Sequence, residues 1–134
     1  MAQLRYMLDT NIVSDLVRRP GGDIAKRAAA LEPGSIAVSI VVASELRYGA
    51  ERHGSRRLTK QLEAVLSAIG TLPLAEPADR HYGAIRSELE RAGRPIGHND
   101  LLIAAHARAL GATLVTRNTG EFGRVPGLAV DDWQ

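Results

Sequence analysis

Apolar residues follow two different spacings along the chain, and the spacing changes at turn residues. Short, mostly apolar runs have the length of buried strands. They predict strands at residues 4–8, 35–39, 72–74, 113–116 and 128–130. Longer segments repeat apolar residues at three- and four-residue intervals, which is typical of amphipathic helices. They predict helices at residues 10–19, 23–31, 40–53, 56–69, 78–92 and 98–110, with one helical turn within 117–122.

Turn residues separate these elements. Pro20-Gly21-Gly22 follows the first predicted helix, and Gly54, Gly70 and Gly111 each follow a later one, where glycine commonly ends a helix. Strands and helices then alternate without a linker or an internal repeat, which predicts a single α/β domain over residues 1–134. We expect a central, mostly parallel sheet of four to five strands, flanked by helices on both faces.

The composition fits such a domain and narrows its function. The chain has 134 residues, no cysteine, 17 Lys+Arg and 15 Asp+Glu, with a net charge of +2. The lack of cysteine excludes disulfides and cysteine-ligated zinc. No apolar run approaches the roughly 20 residues of a membrane span. The N-terminus lacks the pattern of a signal peptide, so we expect a cytoplasmic protein without a membrane partner.

Acidic and amide side chains follow the predicted strands. Asp9 comes directly after the first strand, and Glu45 lies in the helix after the second. Asp100 lies in the first turn of the last long helix, and Asn118 and Glu121 follow the fourth strand. Ligands of parallel sheets bind at the carboxyl ends of the strands. Carboxylate oxygens that converge there are suited to Mg²⁺, which polarises phosphoryl oxygens and activates water.

Each of these residues also has a purely structural explanation. Asp9 can cap the helix that follows it, and Asp100 can interact with the dipole of its own helix. Glu45 can form a surface ion pair with Arg47 or Arg52. The two residues after the fourth strand can be ordinary turn residues. Taken one by one these explanations stay open, but they do not explain why all the residues fall at one end of one sheet.

Other catalytic patterns are missing from the sequence. There is no G-x-S-x-G, no P-loop, no G-x-G-x-x-G after the first strand and no H-E-x-x-H. A phosphatase of the haloacid dehalogenase type needs a second Asp two residues after Asp9, where this chain has Asn11. The remaining acids, Asp15 among them, are predicted to lie on helix surfaces or in caps. The spacing predicts that His106 faces away from Asp100.

Four motifs occur in order along the chain, and together they cover most of it. They are MLDTN at 7–11, SELRYG at 44–49, IGHNDLLIAAHA at 96–107 and LVTRNTGEF at 114–122, with VPGL and a closing Asp132-Trp133 after them. Each motif alone is weak, but the order and the spacing are specific. In these motifs the chain resembles the PIN-domain toxins of the VapC type, and the resemblance implies a PIN-like fold.

The resemblance also implies an activity, that of a magnesium-dependent endoribonuclease. It implies that Asp9 and Asp100 are the main ligands of Mg²⁺, or of Mn²⁺ as its substitute, and that Glu45 is the third acid. Asn118 takes a position that is acidic in some members of the family, and Glu121 is the candidate to replace that acid. The residues expected to orient ligands or water are Thr10, Asn11, Thr116 and Asn118.

Partners follow from the same resemblance. Toxins of this family are commonly homodimers, and a small antitoxin inhibits them, so we expect an RNA substrate, a VapB-like antitoxin, a homodimer and a hetero-oligomer with the antitoxin. Arg47, Arg94 and Arg117 are candidates to hold the flanking phosphates. Three other functions stay open: a non-catalytic RNA- or protein-binding module on the same fold, a metal-dependent phosphatase of small molecules, and a nuclease that acts on DNA.

Overall fold

Helices and short strands alternate along residues 2–133, the part of the chain that the computed structural model describes. The strands are β1 (Tyr6–Leu8), β2 (Ile36–Ser39), β3 (Thr71–Leu72), β4 (Thr113–Val115) and β5 (Val130–Asp131). The helices are α1 (Thr10–Arg18), α2 (Asp23–Ala29), α3 (Ile40–His53), α4 (Arg56–Ile69), α5 (Ala78–Arg91), α6 (His98–Ala109) and α7 (Thr119–Phe122).

The five strands form one parallel sheet in the order β3-β2-β1-β4-β5. β1 lies at the centre, because Tyr6 is opposite Ile36 of β2 on one side and Thr113 of β4 on the other. A central strand is covered on both faces and must therefore be apolar. Met7 and Leu8 meet this requirement, with exposures of 1% and 0%. The predicted α/β class and its parallel sheet are confirmed.

Most predicted strands are longer than the observed ones. The strand expected at 4–8 begins only at Tyr6, where β2 becomes available as a partner. The strand expected at 72–74 is β3, and the one expected at 128–130 is β5, shifted toward the C-terminus. Burial continues past the paired residues, since Leu4 and Leu128 pack against the core outside any strand. An apolar run therefore marks burial more reliably than it marks pairing.

Helices α1 to α6 begin at the predicted residues and end within two residues of the predicted ends. Ser39 caps α3 by accepting a hydrogen bond from the N–H of Val41, and Ser55 caps α4 by accepting one from the N–H of Leu58. Gly54 ends α3 at φ +74°, in the left-handed region that glycine adopts without strain. No helix within residues 2–133 is long and apolar enough to cross a membrane.

The carboxyl ends of three neighbouring strands meet at one edge of the sheet. The polar residues at or directly after these ends are Ser39 for β2, Asp9 for β1 and Thr116 for β4, with exposures of 1%, 4% and 0%. Buried polar residues must find hydrogen-bond partners, so each of these three is held in a defined orientation. This edge, named the carboxyl edge below, carries the candidate site.

Candidate active site

Asp9 is the most buried carboxylate at the carboxyl edge. It is the N-cap of α1, and its Oδ1 accepts hydrogen bonds from the Thr10 N–H at 2.8 Å and the Thr10 hydroxyl at 3.2 Å. Its Oδ2 accepts a 2.7 Å bond from the hydroxyl of Thr116, which follows β4. Asp9 therefore caps a helix and also presents a fixed carboxylate at the edge, so its structural explanation does not exclude a functional one.

Glu45 reaches the same edge from α3. Burial raises its pKa above the ordinary value, a hydrogen bond with Asn99 acts in the opposite direction, and the charge of Asp9 raises it further. Its Oε1 is buried and has no hydrogen-bond partner among the residues that the structure describes. A buried acceptor without a partner is costly, which makes this oxygen available to a ligand.

Asp100 lies in the first turn of α6. Burial raises the pKa of Asp100 to about 7, with further contributions from the charge and a hydrogen bond of Glu121 and from the charges of Asp9 and Glu45. These acids come from four separate segments of the chain. Burial is the largest cause of this shift, and the neighbouring acids act in the same direction because like charges that lie close together resist ionisation.

Glu121 is held in place by neighbouring donors. Its Oε2 accepts a 2.6 Å bond from the Asn118 side-chain amide, and its Oε1 accepts one from the Gly97 N–H at 3.2 Å. The bond from Asn118 lowers the pKa of Glu121, burial opposes this, and the Gly97, Asp100 and Arg124 interactions lower the pKa further. Glu121 thus connects the segment after β4 to the beginning of α6.

The surface explanation of Glu45 does not apply. Arg47 forms its ion pair with Glu63 of α4, with two nitrogen–oxygen distances of 2.9 Å, and Arg52 lies over the ring of Tyr48. The side chain of Glu45 instead interacts with Asn99 and with the charge of Asp9.

The family model for the PIN domain matches residues 6–128. The chain belongs to the PIN domain family. It is 41% identical over 131 residues to a tRNA(fMet)-specific endonuclease VapC from Shigella flexneri, an alignment that covers 97% of this chain and 98% of the relative. The resemblance to the VapC type, which the motifs predicted, is confirmed by this relative.

Solved structures of VapC-type PIN proteins have the same fold. The chain superimposes with a TM-score of 0.89 on a chain of VapBC2 from Rickettsia felis bound to a DNA fragment from its promoter, with 36% identity. For DNA-bound VapBC from Salmonella typhimurium the TM-score is 0.88, also with 36% identity. Each match covers 98% of this chain and 100% of the other.

PIN-domain ribonucleases generally depend on a divalent metal ion, and the side chains at the carboxyl edge fit one. The donors are carboxylate oxygens, which hard cations prefer. One of them is Oε1 of Glu45, which has no hydrogen-bond partner in the described part of the chain. A cation would also relieve the repulsion that adds to the effect of burial on the pKa of Asp100. Within residues 2–133, however, no three acidic or histidine side chains are close enough together to form a complete ligand set. The cluster is therefore open, which means that its acids are not already arranged as a complete set of metal ligands.

Sequence reasoning missed two residues near this cluster. Asp15 was expected on a helix surface, but it is buried and forms ion pairs with Arg117 and Arg19. That expectation was wrong, because the segment after β4 covers the face of α1 on which Asp15 lies. Asn99, the second missed residue, interacts with Glu45. Its position directly before Asp100 was the only signal in the sequence that could have identified it.

Two of the predicted orienting residues contact the segment after β4. Asn11 Oδ1 accepts a hydrogen bond from the Arg117 N–H at 3.3 Å, and Asn118 donates from its backbone N–H to the Thr116 hydroxyl at 3.0 Å. His106 faces away from Asp100, as predicted, and bonds Ser39. Thr10, Asn11, Thr116 and Asn118 thus all lie within the hydrogen-bond network around Asp9 and Glu121.

Proposed function

We propose that the chain is the toxin of a toxin–antitoxin pair and an endoribonuclease that hydrolyses RNA phosphodiester bonds. The observation that carries this proposal is that acids from four separate segments interact at one edge of the sheet, where burial first, and then the neighbouring acids, raise the pKa of Asp100 to about 7. Perturbed carboxylates in such a group are typical of functional sites. The name of the Shigella flexneri relative, an endonuclease specific for tRNA(fMet), supports RNA as the substrate.

We propose Mg²⁺ as the ion, with Mn²⁺ as a substitute. Asp9 and Asp100 would be its main ligands, and Glu45 the third acid, binding the ion directly or through a water molecule. When bound, the ion supplies positive charge to the phosphoryl oxygens and lowers the pKa of the attacking water. Thr116 and Thr10 orient the carboxylate of Asp9 through their hydrogen bonds. Asp100 gives up a proton near neutral pH when a cation binds, because the pKa of its metal-free carboxyl is about 7.

Glu121 has a different part in this proposal from the one that the resemblance implied. Both of its oxygens already accept hydrogen bonds, from Asn118 and Gly97. We assign it to holding the beginning of α6, and with it Asp100, against the segment after β4.

The proposed partners follow the solved relatives, which are VapBC complexes bound to DNA. The chain is expected to bind a small VapB-like antitoxin in the cytoplasm, in a hetero-oligomer built on a toxin homodimer. The whole chain, residues 1–134, is expected to act as one domain. These expectations rest on the relatives, with which the chain shares almost its full length.

Cleavage of end-labelled RNA by the purified protein tests the proposed activity. The wild type should cut initiator tRNA in the presence of Mg²⁺ and stop when the metal is chelated. Asp9→Asn and Asp100→Asn should remove cleavage, while Glu63→Gln, which breaks the exposed pair with Arg47 on α3 and α4, should cut like the wild type. Cleavage that is unchanged in Asp9→Asn would contradict the metal-dependent mechanism.

The same preparations separate the alternatives. A phosphatase of small molecules would release phosphate from simple esters and leave RNA intact. A nuclease for DNA would cut a DNA oligonucleotide of the same sequence at least as fast as the RNA. A non-catalytic binding module would retain RNA in a filter assay without cutting it. Any of these results from active, folded wild-type protein would overturn the proposed endoribonuclease.

A further inference from the structure

Arg117, the residue after Thr116, is attached to α1 at two points. Its backbone N–H donates to Asn11 Oδ1 at 3.3 Å, and its Nη2 donates to Asp15 Oδ2 at 2.7 Å. Asn11 and Asp15 are four residues apart on α1, so their side chains lie on the same face of the helix. Both the backbone and the side chain of Arg117 are therefore fixed to that face.

Asp15 needs this contact. Its side chain is only 6% exposed, and its other cationic neighbour, Arg19, is 3.4 Å away on a side chain that is 72% exposed. A buried carboxylate is stable only when it is paired, and the shorter bond comes from Arg117. The geometry therefore commits the guanidinium of Arg117 to a partner inside the protein, although the sequence made it a candidate for binding phosphate.

The residue before this attachment contacts Asp9. The backbone N–H of Thr116 donates to the carbonyl of Asp131 in β5 at 2.9 Å, and its hydroxyl donates to Asp9 Oδ2 at 2.7 Å. The backbone of Thr116 is thus held by β5, and the next residue, Arg117, is held by α1. Both attachments act on the backbone beside the Thr116 hydroxyl.

We infer that Arg117 is a positioning residue, which ties the segment after β4 to α1 through Asp15 and Asn11 and so keeps the Thr116 hydroxyl on Asp9. The inference rests on the proposed function, because it assigns Arg117 to the geometry of a carboxylate that the reaction uses. Hydrogen-bond partners of a ligand commonly matter about 10- to 100-fold for metal affinity or activity. Arg117 acts one step further away and should lie at the lower end of that range.

Kinetics of Arg117→Gln test the inference first. This substitution keeps most of the side-chain length and removes the charge. We expect kcat to fall about tenfold while KM stays within about twofold, since the geometry of the reacting groups changes and the binding of RNA does not. Arg117→Lys, which keeps the charge on Asp15 but loses the planar fork, should recover part of the lost kcat. Glu63→Gln, which breaks an exposed ion pair on α3 and α4, is the matched control.

Calorimetric titration with Mn²⁺ gives a readout that does not depend on activity. The dissociation constant for Mn²⁺ should rise about tenfold in Arg117→Gln and stay at the wild-type value in Glu63→Gln. The unfolding midpoint of each variant, measured in the same buffer, should lie well above the assay temperature. A lower kcat then cannot be explained by loss of folded protein.

A double-mutant cycle with Thr116→Val tests whether Arg117 acts through Thr116. If it does, Arg117→Gln should add little to the loss of kcat already caused by Thr116→Val, because the hydroxyl it positions is gone. Additive losses would contradict the inference. If Asp15→Asn folds, it should reproduce the kinetics of Arg117→Gln. If Asp15→Asn does not fold, the test rests on the Arg117 variants, which change a half-exposed side chain.

Two further outcomes would overturn the inference and leave the proposed function intact. If Arg117 binds RNA directly, Arg117→Gln raises KM and weakens the salt dependence of binding, and Asp15→Asn does not. If the ion pair serves stability alone, kcat per folded molecule and Mn²⁺ affinity stay at wild-type values while the unfolding midpoint falls. A wild-type protein that cuts no RNA would contradict the proposed function itself. The variants are compared with an active wild type, so their results bear only on the role of Arg117.

Discussion

Two pairs of buried polar residues lie beside each other at the carboxyl edge. They differ in whether the surrounding residues satisfy all of their charges and hydrogen-bonding groups. In the first pair, Ser39 at the end of β2 hydrogen-bonds Nδ1 of His106 in α6 at 2.7 Å. In the second pair, Thr116 after β4 donates to Asp9 after β1, also at 2.7 Å. All four residues are at most 4% exposed.

The Ser39–His106 pair is closed. The imidazole also bonds the backbone carbonyl of Pro73, which can only accept, so a ring N–H must donate to it. With Nε2 as that donor, Nδ1 of the neutral ring accepts the hydrogen bond from the Ser39 hydroxyl. The Ser39 oxygen accepts from the N–H of Val41 as well. Burial lowers the pKa of His106, and the bond to Pro73 only partly opposes this, so the ring stays neutral. A Ser–His pair in this setting supports the fold.

The Asp9–Thr116 pair is open. It belongs to a group of acids in which a buried oxygen of Glu45 has no partner within residues 2–133 and Asp100 has a pKa of about 7. Burial and a short hydrogen bond are common to both pairs, so neither feature identifies a functional site. The uncompensated charge and the unused acceptors distinguish the second pair, and a cation can satisfy both.

The largest expected difference between the two pairs is in catalysis. Asp9→Asn should lower kcat for RNA cleavage about 1000-fold or more, equivalent to roughly 4 kcal/mol of transition-state stabilisation, since it removes a proposed metal ligand. Its circular dichroism spectrum should match that of the wild type, because Asn also caps helices well. Initial rates at saturating RNA measure the effect. If Asp9→Asn keeps a tenth of the wild-type kcat, Asp9 is not an essential metal ligand.

Ser39→Ala should produce the opposite pattern. It leaves Nδ1 of His106 without a partner and uncaps α3, which together should cost about 2–4 kcal/mol of unfolding free energy. The kcat per folded molecule should stay close to the wild-type value. Urea denaturation measures the stability, and RNA cleavage at low temperature measures kcat. A loss of kcat with unchanged stability would show that the closed pair belongs to the active site.

Asp100→Asn should make the metal-free protein more stable. Because the folded-state pKa of Asp100 is raised to about 7, its ionised form at pH 8 is less favourable in the folded than in the unfolded chain, and removing the charge stabilises the fold. Solvent screens this half-exposed group, so we expect about 1 kcal/mol, or about 3–5 °C in unfolding midpoint.

Added Mg²⁺ should reverse that order. It should stabilise the wild type, which binds the ion only when folded, and leave Asp100→Asn nearly unchanged. Thermal unfolding at pH 8 with a chelator and with millimolar Mg²⁺ compares the two proteins directly. If, with the chelator present, Asp100→Asn is less stable than the wild type, the ionised carboxylate of Asp100 does not destabilise the folded protein.

The smallest effect is the pH dependence of the closed pair. The folded-state pKa of His106 lies below its ordinary value of 6.5, so the unfolded chain takes up a proton first as the pH falls. The stability that the neutral ring provides is present above pH 6.5 and is lost as the pH falls toward the folded-state pKa. His106→Gln should remove this loss. The difference in unfolding free energy between the two proteins, measured from pH 8 to pH 5, checks the sign.

The sequence alone determined the class of the fold and most of the candidate acids. Apolar periodicity and turn residues predict the elements, since burial and backbone conformation act locally along the chain. Asp9, Glu45 and Asp100 could be identified because each lies at a fixed place relative to a predicted element. The parallel sheet then requires those places to meet at one edge.

Only the tertiary structure decided which contacts these residues make. Asp15 looks like an ordinary polar residue of an exposed helix face, and its burial depends on the segment after β4, more than 100 residues away, packing over it. The sequence contains both Asp15 and Arg117, but local rules say nothing about contacts between distant segments. For the same reason the sequence predicted that His106 faces away from Asp100 but not that Ser39 binds it, because that partner lies on another element.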